Sequence, residues 1–142
     1  MKAIVCVGPL GCGKSTFAAT LPDYVESNRD AIRTRLLGRV DNHADEPQVT
    51  AVQRAVIAGA AQHNQDVIVS DTNLHPRFRA ELIAYLESLG YQVEIKLFPV
   101  PIGELLRRNE TRDKPVPESV LHRMAQAMTE QFPESSQAFV SG

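Results

Sequence analysis

Apolar and polar positions along this chain follow two periods. Short apolar runs, KAIVCV (2–7), DVIVS (66–70) and YQVEIKLF (91–98), read as strands, and YVES (24–27) as a weaker fourth. The unbroken valine and isoleucine of the first two predict strands buried on both faces. Between the runs the period lengthens to that of a helix. One helix is expected over 14–20, directly after a glycine-rich loop. Residues 48–64 place Val49, Val52, Val56 and Ala60 on one stripe. Residues 76–89 place Phe78, Leu82, Tyr85, Leu86 and Leu89 on another, with Pro76 suited to a first turn and Gly90 to the stop. Ile102, Leu105 and Leu106 mark a short helix after FPVPIG, and Leu121, Met124, Met128 and Phe132 a last one, its methionines read as core filler. Such alternation predicts an α/β fold, a central, mostly parallel sheet of four or so strands flanked by helices. The chain reads as a single domain over 1–142, with the polar, periodless 133–142 a loose tail.

Composition adds constraints. The apolar 43% and charged 23% are those of an ordinary soluble globular protein. No run approaches the roughly 18 apolar residues of a membrane span, and the apolar part of MKAIVCVGPLG is too short for a signal peptide. A cytoplasmic protein without a membrane partner is expected. A net charge of −2 argues against a globally basic nucleic-acid coater, so any polyanion must be gripped by local clusters. Arginines do cluster, in NRDAIRTRLLGR (28–39) and RRNETRDK (107–114). Cys6 and Cys12 show no metal or disulfide spacing, and neither do the four histidines show metal spacing.

The stretch GPLGCGKS (8–15), placed between a strand and a helix, matches G-x-x-x-x-G-K-[ST]. Gly8, Gly11 and Gly13 let successive N–H groups point at phosphates, and the new helix adds its positive end. Lys14 neutralises β/γ oxygens, Ser15 ligates Mg²⁺, and Thr16 is in reach of the α-phosphate. Cys12, a thiol inside the cradle, is expected to be protected from alkylation by bound nucleotide.

Three further segments bear on what receives the phosphate. In SNRDAIR (27–33), Asp30 sits where a helix begins and Arg33 lies on the same side of its first turn. Asp30 is read both as an N-cap and as the carboxylate that takes a proton from an acceptor hydroxyl during in-line attack; Arg33 would hold an acceptor phosphate. Asp71, ending VIVSD, is placed to meet the Mg²⁺ shell or to orient an arginine. Arg108 and Arg112, at i, i+4, read as a solvated face or as a lid over the phosphates. The stretch 38–48 reads as a polar surface loop.

Together GPLGCGKST, NRDAIR, SDTNLHP and RRNETRDKPVP resemble, in order and spacing, the kinase domain of phage-type polynucleotide 5′-hydroxyl kinases, over about residues 2 to 130. The resemblance implies a P-loop kinase-like three-layer sandwich that moves the γ-phosphate of ATP, with Mg²⁺, to the 5′-OH end of DNA or RNA. It implies donor and metal contacts by Lys14 and Ser15, Asp30 as general base, and Arg33 on the phosphate 3′ of the acceptor nucleoside. Asp71, as a second metal contact, and Thr72 would order the acceptor side, and Arg108 and Arg112 would be lid arginines on the donor. The family's two-domain members carry a phosphatase domain with an acidic D-x-D signature, absent here, so 3′-phosphatase activity is not expected. Two alternatives remain: a kinase of a nucleotide, sugar or antibiotic hydroxyl on the same core, and an ATP-binding switch that transfers nothing. With aromatics at 6% and no tryptophan, contact is expected with only the few nucleotides nearest the 5′ end, with little sequence preference.

Overall fold

Three apolar residues in a row, Val67–Val69, make the shortest explanation of this fold: a strand so apolar must be central. The computed structural model describes residues 1–37 and 46–135. Its sheet contains β1 (Lys2–Val7), β2 (Val25–Ser27), β3 (Val67–Val69) and β4 (Gln92–Leu97), in the order β2-β3-β1-β4. All pairings are parallel, with Ile4 opposite Ile68 and Glu94, and Ser27 opposite Val69. The two predicted double-buried strands, β1 and β3, are the inner pair. Ala3, Val5, Val7, Val67 and Val69 point into one core; Ile4, Cys6 and Ile68 point into another on the opposite face.

The helices are α1 (Lys14–Ala19), α2 (Arg29–Leu37), α3 (Glu46–Gln62), α4 (Pro76–Ser88), α5 (Ile102–Glu110) and α6 (Glu118–Gln131). Helices α3 to α6 cover the first core with Ile57, Leu86, Leu105 and Met128, while α1 covers the second with Ala18. The result is the predicted three-layer α/β sandwich.

Four expectations are corrected. The buried stripe of α3 is Val49, Gln53, Ile57 and Ala60, whereas Val56 is exposed. A polar residue, Gln53, takes a core-facing place, where its amide hydrogen-bonds the half-buried Asp71 and Arg29. Phe78 projects into solvent, 63% exposed, with its ring stacked on His75. Residues 46 and 47, expected as loop, open α3, with Pro47 in its first turn. Finally, Pro133–Ser135, read as part of a loose tail, form a 3₁₀ turn; the rest of that tail and the segment 38–45, with Arg39 and His43, lie outside the described residues. Among the described residues, no helix is long and apolar enough to cross a membrane.

Candidate active site

Strands β1, β2 and β3 end side by side, and the loops leaving their carboxyl ends carry the predicted chemistry, as ligand sites in parallel α/β sheets do. These loops and the α5–α6 turn enclose a cleft of about 1160 Å³. Gly11, Gly13, Lys14, Ser15 and Thr16 line one side; Asp30, Arg33, Asp71 and Thr72 line another; Arg108 and Arg112 line a third. Only Gly8 of the predicted residues stays out of the wall. Its N–H donates to the Thr72 carbonyl at 3.1 Å and ties the two loops together.

The glycine loop turns through left-handed backbone at Gly11 (φ 78°) and Gly13 (φ 102°), which side chains disfavour. Gly13 is also the N-cap of α1 and makes no side-chain cap, so the first-turn N–H groups have no partner inside the helix. Lys14 is 8% exposed. Its ammonium donates to the Gly8 and Pro9 carbonyls at 3.1 and 2.7 Å and lies 3.4 Å from Cys12 Sγ. These acceptors are neutral, and among the described residues no carboxylate pairs with Lys14, so its charge is left for an anion. Cys12 is 5% exposed and packed under the loop, which leaves little of the thiol for an alkylating reagent. Burial pushes the Cys6 thiol up to about 12, so it stays protonated and inert.

On the facing wall, Asn28 is the cap of α2: its Oδ1 accepts the Ala31 N–H at 2.9 Å, and its amide donates to Ser70 Oγ at 3.1 Å. The N-cap reading of Asp30 is therefore corrected; Asp30 lies inside the first turn, where the helix end favours its charge. Its carboxylate is half-exposed and accepts from Arg33 Nη1 at 2.6 Å. Arg33 is also held by Glu46 Oε1, through Nε and Nη2, both at 2.6 Å. Burial alone would lower the Arg33 pKa, but Glu46 and Asp30 more than offset it and raise it. In return Arg33, then Arg29, hold the Glu46 carboxyl down at about 2.

Asp71 accepts the Arg29 N–H at 2.7 Å on Oδ1 and the Gln53 amide at 2.8 Å on Oδ2. Desolvation raises its pKa, and these two bonds resist the rise. Arg29 reaches across to Gln53 Oε1 and to Glu46. On the third wall, Arg108 donates to the Gly11 carbonyl at 2.7 Å and to Glu104 at 2.8 Å. Asn109, buried, exchanges two hydrogen bonds with the Val116 backbone (2.8 and 3.0 Å) and so fixes the turn that carries Arg112.

Sequence reasoning missed Asn28, Glu46, Gln53 and Asn109. Asn28 and Glu46-Pro47 carried readable helix-start signals. For Gln53 and Asn109 there was none beyond a polar residue inside an otherwise apolar pattern.

Comparison with known proteins matches residues 4–131 to a family model described as an AAA domain. The chain belongs to this family. Its parallel sheet of four strands flanked by helices, among the described residues, has the fold of solved P-loop kinases. A protein of Autographa californica nuclear polyhedrosis virus, named as a bifunctional polynucleotide kinase/RNA ligase, is 29% identical over a 130-residue alignment covering 82% of this chain and 19% of that protein. A chain of the Pnkp1/Rnl/Hen1 RNA repair complex superposes with a TM-score of 0.84 at 23% identity, over 94% of this chain and 45% of its own. Shikimate kinase from Bacteroides thetaiotaomicron shares the fold at a TM-score of 0.58 and 17% identity, over 96% and 83% of the two chains. This chain thus spans less than half the length of the first two.

Proposed function

We propose that this P-loop kinase domain transfers the γ-phosphate of ATP to the 5′-hydroxyl end of a polynucleotide. The observation that carries the reading is the Asp30–Arg33 pair, braced by Glu46 and facing the phosphate loop across one cleft. A carboxylate alone would suit many acceptor hydroxyls. A guanidinium fixed beside it suits an acceptor with a phosphate next to the hydroxyl, which a 5′-nucleotide end has on its 3′ side. The viral relative's name points the same way.

The residues present fit a nucleoside triphosphate with Mg²⁺. The left-handed glycines open the loop, Lys14 brings an unpaired charge, and the Ser15 hydroxyl lines the cleft beside them. Bound Mg²⁺ would supply charge neutralisation on the phosphates, with Ser15 its holder from this chain and Asp71 a candidate for a second contact. Asp71 already accepts a bond on each oxygen, which suits ordering the start of α2 as well.

In the reaction, Arg33 holds the acceptor phosphate and so points the 5′ oxygen at the γ-phosphorus. Asp30 accepts the hydroxyl proton as the new P–O bond forms and the bond to the β–γ bridging oxygen breaks. Lys14, Arg108 and Arg112 balance the charge that builds on the leaving ADP and the transferring group. The test is to offer ATP labelled at its γ-phosphate to a 5′-OH oligonucleotide and to a panel of nucleotides, sugars and other small hydroxyl compounds. Label on the oligonucleotide supports the reading; label only on a small compound, or on nothing while ATP binds, overturns it.

A further inference from the structure

The cleft continues past Thr72 and the α6 side chains Val120 and Met124. A second hollow of about 310 Å³ opens from it, sharing Thr72, Val120 and Met124 as a common wall and adding Leu74, His75 and Arg123. That volume is at the small end of ligand sites and has room for one base-sized ring system. The floor is apolar. His75, which lines the hollow, stacks its ring on Phe78 just outside that lining, with centroids 4.2 Å apart and planes 23° from parallel. Phe78 is 63% exposed, so this flat aromatic surface serves no core. Arg123 stands at the same hollow, exposed, and pairs with no carboxylate among the described residues.

We propose that this hollow receives the second nucleotide of a single-stranded acceptor. Its base would lie over Leu74 and Met124 against the His75–Phe78 aromatic pair, and the phosphate that follows it would meet Arg123. The inference rests on the polynucleotide reading above and extends it. A strand whose first phosphate is held by Arg33 must leave the cleft, and the shared wall of Thr72, Val120 and Met124 makes the second hollow a walled exit. An apolar floor, an aromatic edge and one arginine match a base and a phosphodiester, the pairing by which single strands are held without sequence readout. A protein segment would meet no carboxylate or backbone donor pattern in these residues to fix it. A small acceptor would end at Arg33 and leave the hollow unused.

The experiment compares KM for a nucleoside 3′-monophosphate, which ends at the first phosphate, with KM for a trinucleotide carrying a 5′-OH. It does so in the wild-type chain and in the Phe78→Ala/Arg123→Gln variant, which keeps His75 and its cap on α4. Stacking and phosphate contact predict that the trinucleotide KM is about 5- to 30-fold lower in the wild type, and that this ratio falls below about 3-fold in the variant. Added salt should also shrink the wild-type ratio, because one of the contacts is to a phosphate. Equal KM values for both acceptors in the wild type, or an unchanged ratio in the variant, would overturn the subsite while leaving 5′-kinase activity in place. Failure to label either acceptor would instead sink the polynucleotide reading, and the subsite with it.

Discussion

Replacing Glu46 by glutamine removes the charge that braces Arg33. In the wild type, Glu46 Oε1 accepts from Arg33 Nε and Nη2, both at 2.6 Å, and Oε2 accepts from Arg29. A hydrogen bond to a charged group contributes about 1.5–3 kcal/mol. Glu46 keeps 33% of its side chain in solvent, whereas Arg33 keeps only 9%. Solvent screening on the glutamate side reduces the sum, and the enclosed guanidinium, left with Asp30 alone, sets a floor under the loss. The expected net cost is about 1–3 kcal/mol. For a domain of this size that lowers the melting temperature by roughly 4–12 °C. Loosening Arg33 should also raise the acceptor KM about 10-fold, with ATP affinity within about twofold of wild type, since no described bond links Glu46 to the glycine loop. Thermal melts by circular dichroism, steady-state kinetics on a 5′-OH oligonucleotide and nucleotide titration read the three quantities. A variant with wild-type melting and acceptor KM would refute the brace. So would equal losses at donor and acceptor, which would make Glu46 a general support of the fold.

Other expectations follow from the same geometry. The Glu46 carboxyl is held at about 2 in the folded chain, below its unfolded value of about 4.3. A lowered carboxylate pKa adds stability that is full above the unfolded value and is lost as pH falls through the folded one. The stability gap between wild type and Glu46→Gln should therefore close between about pH 5 and pH 2; a gap constant with pH would contradict it. In Gly8→Ala the new Cβ would sit 2.7 Å from Cys12 Sγ and 2.9 Å from Phe98 Cβ, an overpacking expected to cost about 1–3 kcal/mol. Cys12→Ala in the same chain should restore part of that loss, and a Gly8→Ala chain that melts like wild type would show that the loop gives freely. Asn28→Ala should cost about 1 kcal/mol through the lost cap of α2, read in denaturant melts, where no change would remove Asn28 as the cap.

Much of the fold was legible because its strongest signals are local. An apolar strand, a glycine turn and a helix start sit in one unbroken stretch from Lys2 to Ala19, and each needs only its neighbours to be read. The inner pair β1 and β3 was legible for the same reason, since strands covered on both faces show unbroken valine and isoleucine. Less legible were positions whose surroundings come from far along the chain. Val52 and Val56 looked like the inner stripe of α3, yet the helix is rotated to bring Gln53 to Asp71 and Arg29. Hydrophobicity ranks residues by their own surface and takes no account of a half-buried carboxylate 18 positions away. Phe78 misled in the opposite sense, an apolar ring left outside. The cap of α2 was misplaced by two residues because Asn28 and Asp30 are both cap formers, and only the Ala31 N–H decides between them. Glu46 was hidden in a stretch read as surface loop, and its partner Arg33 lies across an intervening segment.

The most direct test of the central claim is single-turnover transfer from γ-labelled ATP to a 5′-OH oligonucleotide by the wild-type chain and by Asp30→Asn, with ATP binding measured on both. If Asp30 receives the acceptor proton beside a phosphate held by Arg33, the wild type labels the oligonucleotide and the variant binds ATP normally but transfers about 10²- to 10⁴-fold more slowly. Transfer at the wild-type rate by Asp30→Asn would contradict the account.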